Sequence, residues 1–101
     1  MITLKPGLRL KSAVCDTQMM VVRGSGPVDL RCGGVAMLAM DAAPPAGAML
    51  DPAQSGGTLI GKRYENDGSV ELLCTKGGAG SLTLAGAPLG QKQAKALPSS
   101  D

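Results

Sequence analysis

Short runs of alternating apolar and polar residues, separated by breaks rich in glycine and proline, occupy most of this chain. A period of two residues is typical of β-strands, because successive side chains point to opposite faces of the sheet. The breaks recur too often for long helices, since 15 glycines and 7 prolines are spread along the sequence. The pattern predicts strands at residues 8–14, 17–23, 28–32, 35–40, 58–64, 70–74 and 81–84.

Two of these strands resemble each other, which is the most informative feature of the pattern. Residues 28–32 have the sequence VDLRC and residues 70–74 have VELLC, and a pair of glycines follows each. Each strand also follows a turn that contains glycine, at 24–27 and at 65–69. The sequence therefore predicts an all-β fold, a small β-barrel or sandwich built from two similar hairpin units. The alternative is chance similarity, because any two alternating strands look somewhat alike.

The period of the two strands assigns a face to each residue. Cys32 has the same phase as Leu30, and Cys74 has the same phase as Leu72. Both cysteines are therefore predicted on the core face, at equivalent positions of the two hairpins. Asp29 and Glu71 have the opposite phase and are predicted on the solvent face. We therefore expect two buried thiols and two carboxylates with no special role.

The length of 101 residues suits a single domain, which we assign to residues 1–101. Residues 41–57 are rich in alanine, proline and glycine and contain no basic residue, which predicts a flexible loop. Residues 91–97 could add a short C-terminal helix, and residues 98–101 are expected to form a frayed tail.

Composition and charge narrow the classes of partner. The formal net charge is only +2 and Tyr64 is the sole aromatic residue, so neither a basic surface nor stacking platforms for bases are available. We therefore do not expect nucleic-acid binding. No apolar stretch approaches the length of a membrane span, and charge and proline interrupt the first residues before a signal peptide could develop. An odd number of cysteines favours a reducing compartment, so we expect a cytoplasmic protein with no membrane partner.

The absence of histidine excludes much chemistry. Without it the chain has no Ser-His-Asp or Cys-His nucleophile and no ordinary general base near neutral pH. The glycine-rich segments 24–27 and 77–80 lack the lysine and the following helix of a phosphate-binding loop and are interpreted as turns. The sequence therefore favours a protein that is not an enzyme.

The three cysteines are the main candidates for a site. Cys15, Cys32 and Cys74 could hold zinc or iron, with Asp16 as the nearest oxygen ligand. No two cysteines have the C-x-x-C spacing of a zinc knuckle, however, and cysteine also behaves as a small buried hydrophobe. A third interpretation makes one exposed cysteine a redox or nucleophilic group.

Leu73 indicates a possible interface, because it breaks the alternation where the first repeat has Arg31. An outward Leu73 beside Met20 and Val22 would form an apolar contact surface. Our first functional hypothesis is a small non-catalytic interaction or accessory module that associates with itself or with a partner enzyme and needs no cofactor. The alternatives are a metal-binding domain that uses the three cysteines and a thiol-dependent redox protein.

Overall fold

A computed structural model describes residues 2–66 and 68–91 of the protein. Twelve strands and one short 3-10 helix, at Pro52–Gln54, lie within these residues. The strands are β1 (Ile2–Leu4), β2 (Arg9–Lys11), β3 (Gln18–Arg23), β4 (Gly26–Val28), β5 (Leu30–Cys32), β6 (Val35–Ala36), β7 (Leu38–Ala39), β8 (Arg63–Glu65), β9 (Glu71–Lys76), β10 (Leu82–Leu84), β11 (Ala87–Pro88) and β12 (Gly90–Gln91).

The described strands form three antiparallel sheets, which confirms the predicted all-β class. Strands β1 and β4 form a ribbon, a four-stranded sheet has the order β11-β10-β5-β6, and a six-stranded sheet has the order β12-β8-β9-β3-β2-β7. Each sheet is open, with an edge strand at either end, and this arrangement suits a sandwich better than a closed barrel. The helix expected at 91–97 lies outside the described residues, apart from Gln91 at the end of β12. No helix within 2–66 and 68–91 is long and apolar enough to cross a membrane.

One hydrophobic cluster joins the sheets. The alternation predicted from the sequence places side chains in it, because every second residue of the central strands is buried. Each fully buried leucine, valine or methionine contributes about 1.5 to 3 kcal/mol to folding. The buried apolar residues are Leu4, Leu10, Met19, Val21, Leu30, Cys32, Met37, Tyr64, Val70, Leu72, Cys74, Leu82 and Leu89. Both predicted core cysteines are therefore in the core.

The second of the two predicted hairpins is formed. Strands β8 and β9 pair in antiparallel register, with Tyr64 opposite Leu72. In the turn between them the Asn66 side chain accepts a hydrogen bond from Val70 N–H at 3.0 Å. Gly68 has a φ of +105°, which a glycine adopts without strain. Asp67, the other residue of the predicted Asp-Gly turn, lies outside the described residues.

The first predicted hairpin is not formed. Strand β3 pairs with β2 and β9, whereas β5 pairs with β10 and β6, so the strands expected to form it lie in different sheets. The predicted turn at 24–27 instead enters β4, which pairs with Ile2–Leu4. A strand of three residues is too short to show a period, and β1 was therefore missed. Cys32 and Cys74 end similar sequence segments, but Cys32 lies in the four-stranded sheet and Cys74 in the six-stranded sheet.

Glu71 was wrongly predicted on the solvent face. It is only 5% exposed, and its Oε2 accepts a hydrogen bond from the Arg63 guanidinium at 3.0 Å. Arg63 lies on the neighbouring strand β8, two positions from the residue opposite Glu71, and its long side chain reaches the carboxylate. Asp29 is paired with Arg31 at 3.0 Å and stays partly exposed, as expected.

The predicted loop at 41–57 is anchored in its second half. Asp51 N–H donates to Gly33 O at 2.9 Å, and Ser81 N–H donates to Gln54 O at 2.8 Å. Residues 43–47 are exposed, as the alanine, proline and glycine content predicts. The anchored half thus lies against Gly33, the residue that follows Cys32.

Candidate functional site

Cys15 and Cys32 form a thiol pair where the two larger sheets meet. Cys15 lies in the loop between β2 and β3, and Cys32 is the last residue of β5. Their sulfur atoms are 3.8 Å apart, and both cysteines are free. Cys32 is fully buried, whereas Cys15 is partly exposed. The pair therefore combines a partly exposed cysteine with a fully buried one.

The loop that carries Cys15 is fixed by Ser12. Ser12 N–H donates to Thr17 O at 2.8 Å and closes the loop. The Ser12 hydroxyl oxygen then accepts hydrogen bonds from Val14 N–H at 3.1 Å and from Cys15 N–H at 3.2 Å. A serine side chain that satisfies successive backbone groups in this way stabilises a turn. The hydrogen bonds of this loop thus help to set the position of Cys15, in addition to side-chain packing.

Besides Cys32, the residues Ser12, Thr17 and Gly80 place polar groups around the Cys15 sulfur at hydrogen-bonding distance. Ser12 Oγ lies 3.2 Å away and Thr17 Oγ1 lies 3.3 Å away, and Gly80 N–H donates to the sulfur at 3.4 Å. The thiol donates to one of the hydroxyls, whereas a thiolate would accept from both. Because Ser12 Oγ already accepts two backbone N–H groups, its own proton is available for the sulfur. The surroundings therefore suit the thiolate.

The two sulfurs differ in acidity. Burial raises the pKa of Cys15, but hydrogen bonds from the hydroxyls of Ser12 and Thr17 and from the N–H groups of Thr17 and Gly80 outweigh this, and its pKa falls to about 7. Burial raises the pKa of Cys32 to about 11, and the negative charge of ionised Cys15 adds to the shift. Cys15 is therefore the more acidic and, near neutral pH, the more nucleophilic of the two thiols.

Gly80 makes the close approach of the sheets possible. A Cβ atom at this position would lie 2.8 Å from Gly33 N and 3.0 Å from the Cys32 sulfur. Both distances are shorter than van der Waals contacts, so only glycine fits without displacing the pair. The glycines at 77–80 were predicted only as a turn, and this role of Gly80 was missed.

Cys74 and Asp16 are not part of the pair. Cys74 is buried in β9, where its thiol donates to Lys76 O at 3.2 Å, and burial raises its pKa. Asp16 is exposed. Across residues 2–66 and 68–91, no three His, Cys, Asp or Glu side chains form a group that could hold a metal ion. Of the four residues predicted as metal ligands, the structure brings together Cys15 and Cys32.

The predicted interface residues lie on the outer face of the six-stranded sheet. Met20 and Leu73 are direct neighbours across β3 and β9. Arg9 is opposite Met20 and Arg63 is opposite Leu73, so four strands contribute one row, which we call the Met20–Leu73 row. Its two apolar side chains are partly exposed. Val22 is also partly exposed and lines a separate surface cavity of about 690 Å³.

The polar groups around the thiol pair were not predicted from the sequence. Ser12 and Thr17 stand three residues before and two residues after Cys15, and this S-x-x-C-x-T spacing was the available signal. The pairing of Cys15 with Cys32 has no comparable local signal, because it depends on how the two sheets pack.

Comparison of the chain with protein-family models, curated proteins and solved structures gives no match in any of the three.

Proposed function

We propose that the protein is a thiol–disulfide redox protein in which Cys15 is the attacking thiol and Cys32 the resolving thiol. The observation that carries the proposal is the distance of 3.8 Å between the sulfur of a partly exposed cysteine and that of a fully buried one. A short movement of the Cys15 loop would bring the sulfurs to the length of a disulfide bond, about 2.05 Å. We place the protein in a reducing compartment such as the cytoplasm, where both thiols would be reduced at rest.

The reaction is an exchange with a disulfide of a second molecule. The Cys15 thiolate attacks one sulfur of that disulfide, forms a mixed disulfide and releases the first thiolate. Cys32 then loses its proton to the released thiolate and attacks the Cys15 sulfur, which expels the second thiolate. The substrate disulfide gains two electrons and becomes one thiol, which holds the proton from Cys32, and one thiolate, which can take a proton from water. Cys15 and Cys32 lose two electrons and become one disulfide.

The unequal surroundings of the two sulfurs support this division of roles. A thiol is the better attacking group when its pKa lies near the ambient pH, which is the case for Cys15 at about 7. Cys32 has no access to solvent, so it can react only with the neighbouring Cys15 sulfur, once that sulfur is part of a mixed disulfide. This order of attack also protects Cys32 from unspecific oxidation.

A metal centre is the less favoured alternative. A structural zinc site takes four ligands, and among the described residues only two thiols are brought together here. Zinc and iron analysis of protein purified without chelator separates the two proposals. Stoichiometric metal that is lost in Cys15→Ser would favour the metal centre.

Trapping of the mixed disulfide tests the proposed exchange. The reduced wild-type protein is incubated with oxidised glutathione, quenched in acid and analysed by mass spectrometry with peptide mapping. We expect a Cys15–Cys32 disulfide in the wild type and a stable Cys15–glutathione adduct in Cys32→Ser. Cys15→Ser should acquire neither product, and Cys74→Ser is the matched control that should react like the wild type. Equal reaction of Cys15→Ser and the wild type would refute the proposal.

The Met20–Leu73 row favours an interaction module as a second candidate function. It combines two partly exposed apolar side chains with an arginine at each end, Arg9 and Arg63. Such a surface suits a protein partner or a second copy of the chain. Native mass spectrometry of Leu73→Lys tests self-association, and Met49→Lys, at a methionine that is 79% exposed outside the row, is the control. A loss of dimer in the first variant alone would support the interface, whereas a monomeric wild type would exclude self-association.

A further inference from the structure

A buried pair of threonine hydroxyls lies behind Cys15. Thr17 Oγ1, which contacts the Cys15 sulfur, is also 2.7 Å from Thr58 Oγ1. Thr17 is completely buried and Thr58 is 4% exposed. The two residues are 41 positions apart, so the fold brings their hydroxyls together from distant segments. A polar contact of this kind inside a core has a cost unless each group is satisfied.

The single proton of each hydroxyl limits the possible arrangements. For Thr17 to donate to a Cys15 thiolate, its oxygen must receive its other hydrogen bond from Thr58. Thr58 Oγ1 accepts from Gly78 N–H at 3.2 Å, so its own proton can be donated. Its possible acceptors are the Thr17 oxygen and the Cys74 sulfur, which also contacts Thr58. Oxygen accepts a hydrogen bond better than sulfur does, so Thr58 donates its proton to Thr17 rather than to Cys74. When Cys15 is ionised, Thr17 in turn donates its own proton to the Cys15 sulfur.

The backbone holds Thr58 in position for this task. Thr58 N–H donates to Gly78 O at 2.9 Å, and Gly78 N–H donates back to the Thr58 hydroxyl. A Cβ atom on Gly78 would lie 2.5 Å from both the nitrogen and the hydroxyl oxygen of Thr17. Glycine is thus required where the segment that orients Thr58 passes Thr17.

We propose that Thr58 is a positioning residue that acts through Thr17 to keep a hydroxyl proton directed at the Cys15 sulfur. Thr58 does not contact the reacting sulfur in this arrangement, so its effect is transmitted by one hydrogen bond. The inference rests on the proposed redox function, and it names Thr58 as a residue that influences the reactivity of the attacking thiol, Cys15. Cys32 of β5 is the titratable group that faces Cys15, and Cys74 of β9 is the one that faces Thr58.

The test is the pH dependence of Cys15 alkylation by iodoacetamide, followed by mass spectrometry of the Cys15 peptide. Thr58→Val keeps the shape but removes the hydroxyl, and Thr58→Ser keeps the hydroxyl. We expect Thr58→Val to move the midpoint of the pH profile upward by about one unit and to slow alkylation at pH 7 about fivefold. The limiting rate at high pH should not change. Thr58→Ser should keep the wild-type midpoint.

Folding of each variant is followed by circular dichroism and thermal melts. A merely structural Thr58 would lower the melting temperature of Thr58→Val without moving the midpoint, and that result would overturn the proposal. If Thr58→Val does not fold, Thr58→Ala replaces it in the comparison with Thr58→Ser, and equal midpoints in those two variants would be equally decisive. Failure of the redox function is seen separately, because the wild type would then form no Cys15–Cys32 disulfide with oxidised glutathione whatever its alkylation profile.

Discussion

Cys32 and Cys74 are both fully buried thiols that end similar sequence segments, yet their surroundings differ. Cys32 has the sulfur of Cys15 at 3.8 Å and the backbone of Gly80 beside it. Cys74 donates to a carbonyl of its own strand, Lys76 O, and has no cysteine partner among the described residues. Burial raises the pKa of both. Burial alone therefore makes a cysteine a core residue, whereas a second sulfur from a distant segment makes it a candidate for chemistry.

The largest expected effect is the stabilisation of the protein by oxidation of the pair. A disulfide between Cys15 and Cys32 would join two sheets and close a loop of 17 residues, which should stabilise the fold by about 3 kcal/mol. Urea unfolding of the reduced and oxidised protein measures the increment. Cys74→Ser should show the same increment and Cys32→Ser none. An increment that disappears in Cys74→Ser would show that Cys74, not Cys32, provides the second sulfur.

Crowding of the pair by Gly80→Ala should have the next largest effect. The added methyl group meets Gly33 N and the Cys32 sulfur, and overpacking of this kind costs about 2 kcal/mol. Gly56→Ala is the matched control, because its Cβ would have an ordinary contact of 3.7 Å with Ser81. Its unfolding free energy should change by less than about 0.5 kcal/mol. Equal losses in the two variants would remove the argument that the site needs glycine at position 80.

Substitution of the two buried cysteines by alanine should have a smaller and similar effect. Each change removes one buried sulfur atom from the core, at a cost of about 0.5 to 1.5 kcal/mol in urea unfolding. Neither Cys32→Ala nor Cys74→Ala should alter the response to EDTA. A loss of several kcal/mol in both variants, together with release of a bound ion, would instead support the metal centre, whose binding energy is folding energy.

The last expected effect is the dependence of stability on pH through Cys15. The pKa of Cys15 falls from 9.0 to about 7 on folding, so ionised Cys15 stabilises the fold. This contribution is complete above about pH 9 and is lost as the pH falls through about 7. The difference in unfolding free energy between the wild type and Cys15→Ser should therefore grow from about pH 6 to about pH 9. Cys74→Ser, whose missing thiol has a raised pKa, should show no such growth, and a flat difference for Cys15→Ser would contradict the stabilised thiolate.

The sequence permits prediction of those parts of the site that depend on local pattern. The two-residue period correctly predicted that Cys32 and Cys74 face the core, because strand phase is a property of neighbouring residues. The Asp-Gly segment correctly predicted the β8–β9 hairpin for the same reason. The first hairpin was wrong because the pairing of β3 with β9 and of β5 with β10 joins residues far apart in sequence.

Contacts between the sheets could not be predicted from one sequence. Cys15 meets Cys32 because the two larger sheets pack together, and Thr17 meets Thr58 because Thr58 pairs with Gly78 in the segment that follows β9. Glu71 was misplaced for a related reason, since the guanidinium that covers it comes from the next strand. Local periodicity assigns a face to a residue but does not identify the side chain that will cover that face.

The most direct test of the central claim is a redox titration of the wild-type protein in glutathione buffers, with acid quenching, alkylation and peptide mass spectrometry. If Cys15 and Cys32 are a functional pair, both thiols disappear together in one two-electron transition, and Cys74 remains reduced throughout. Oxidation of Cys15 to a stable glutathione adduct while Cys32 stays a free thiol would contradict the account.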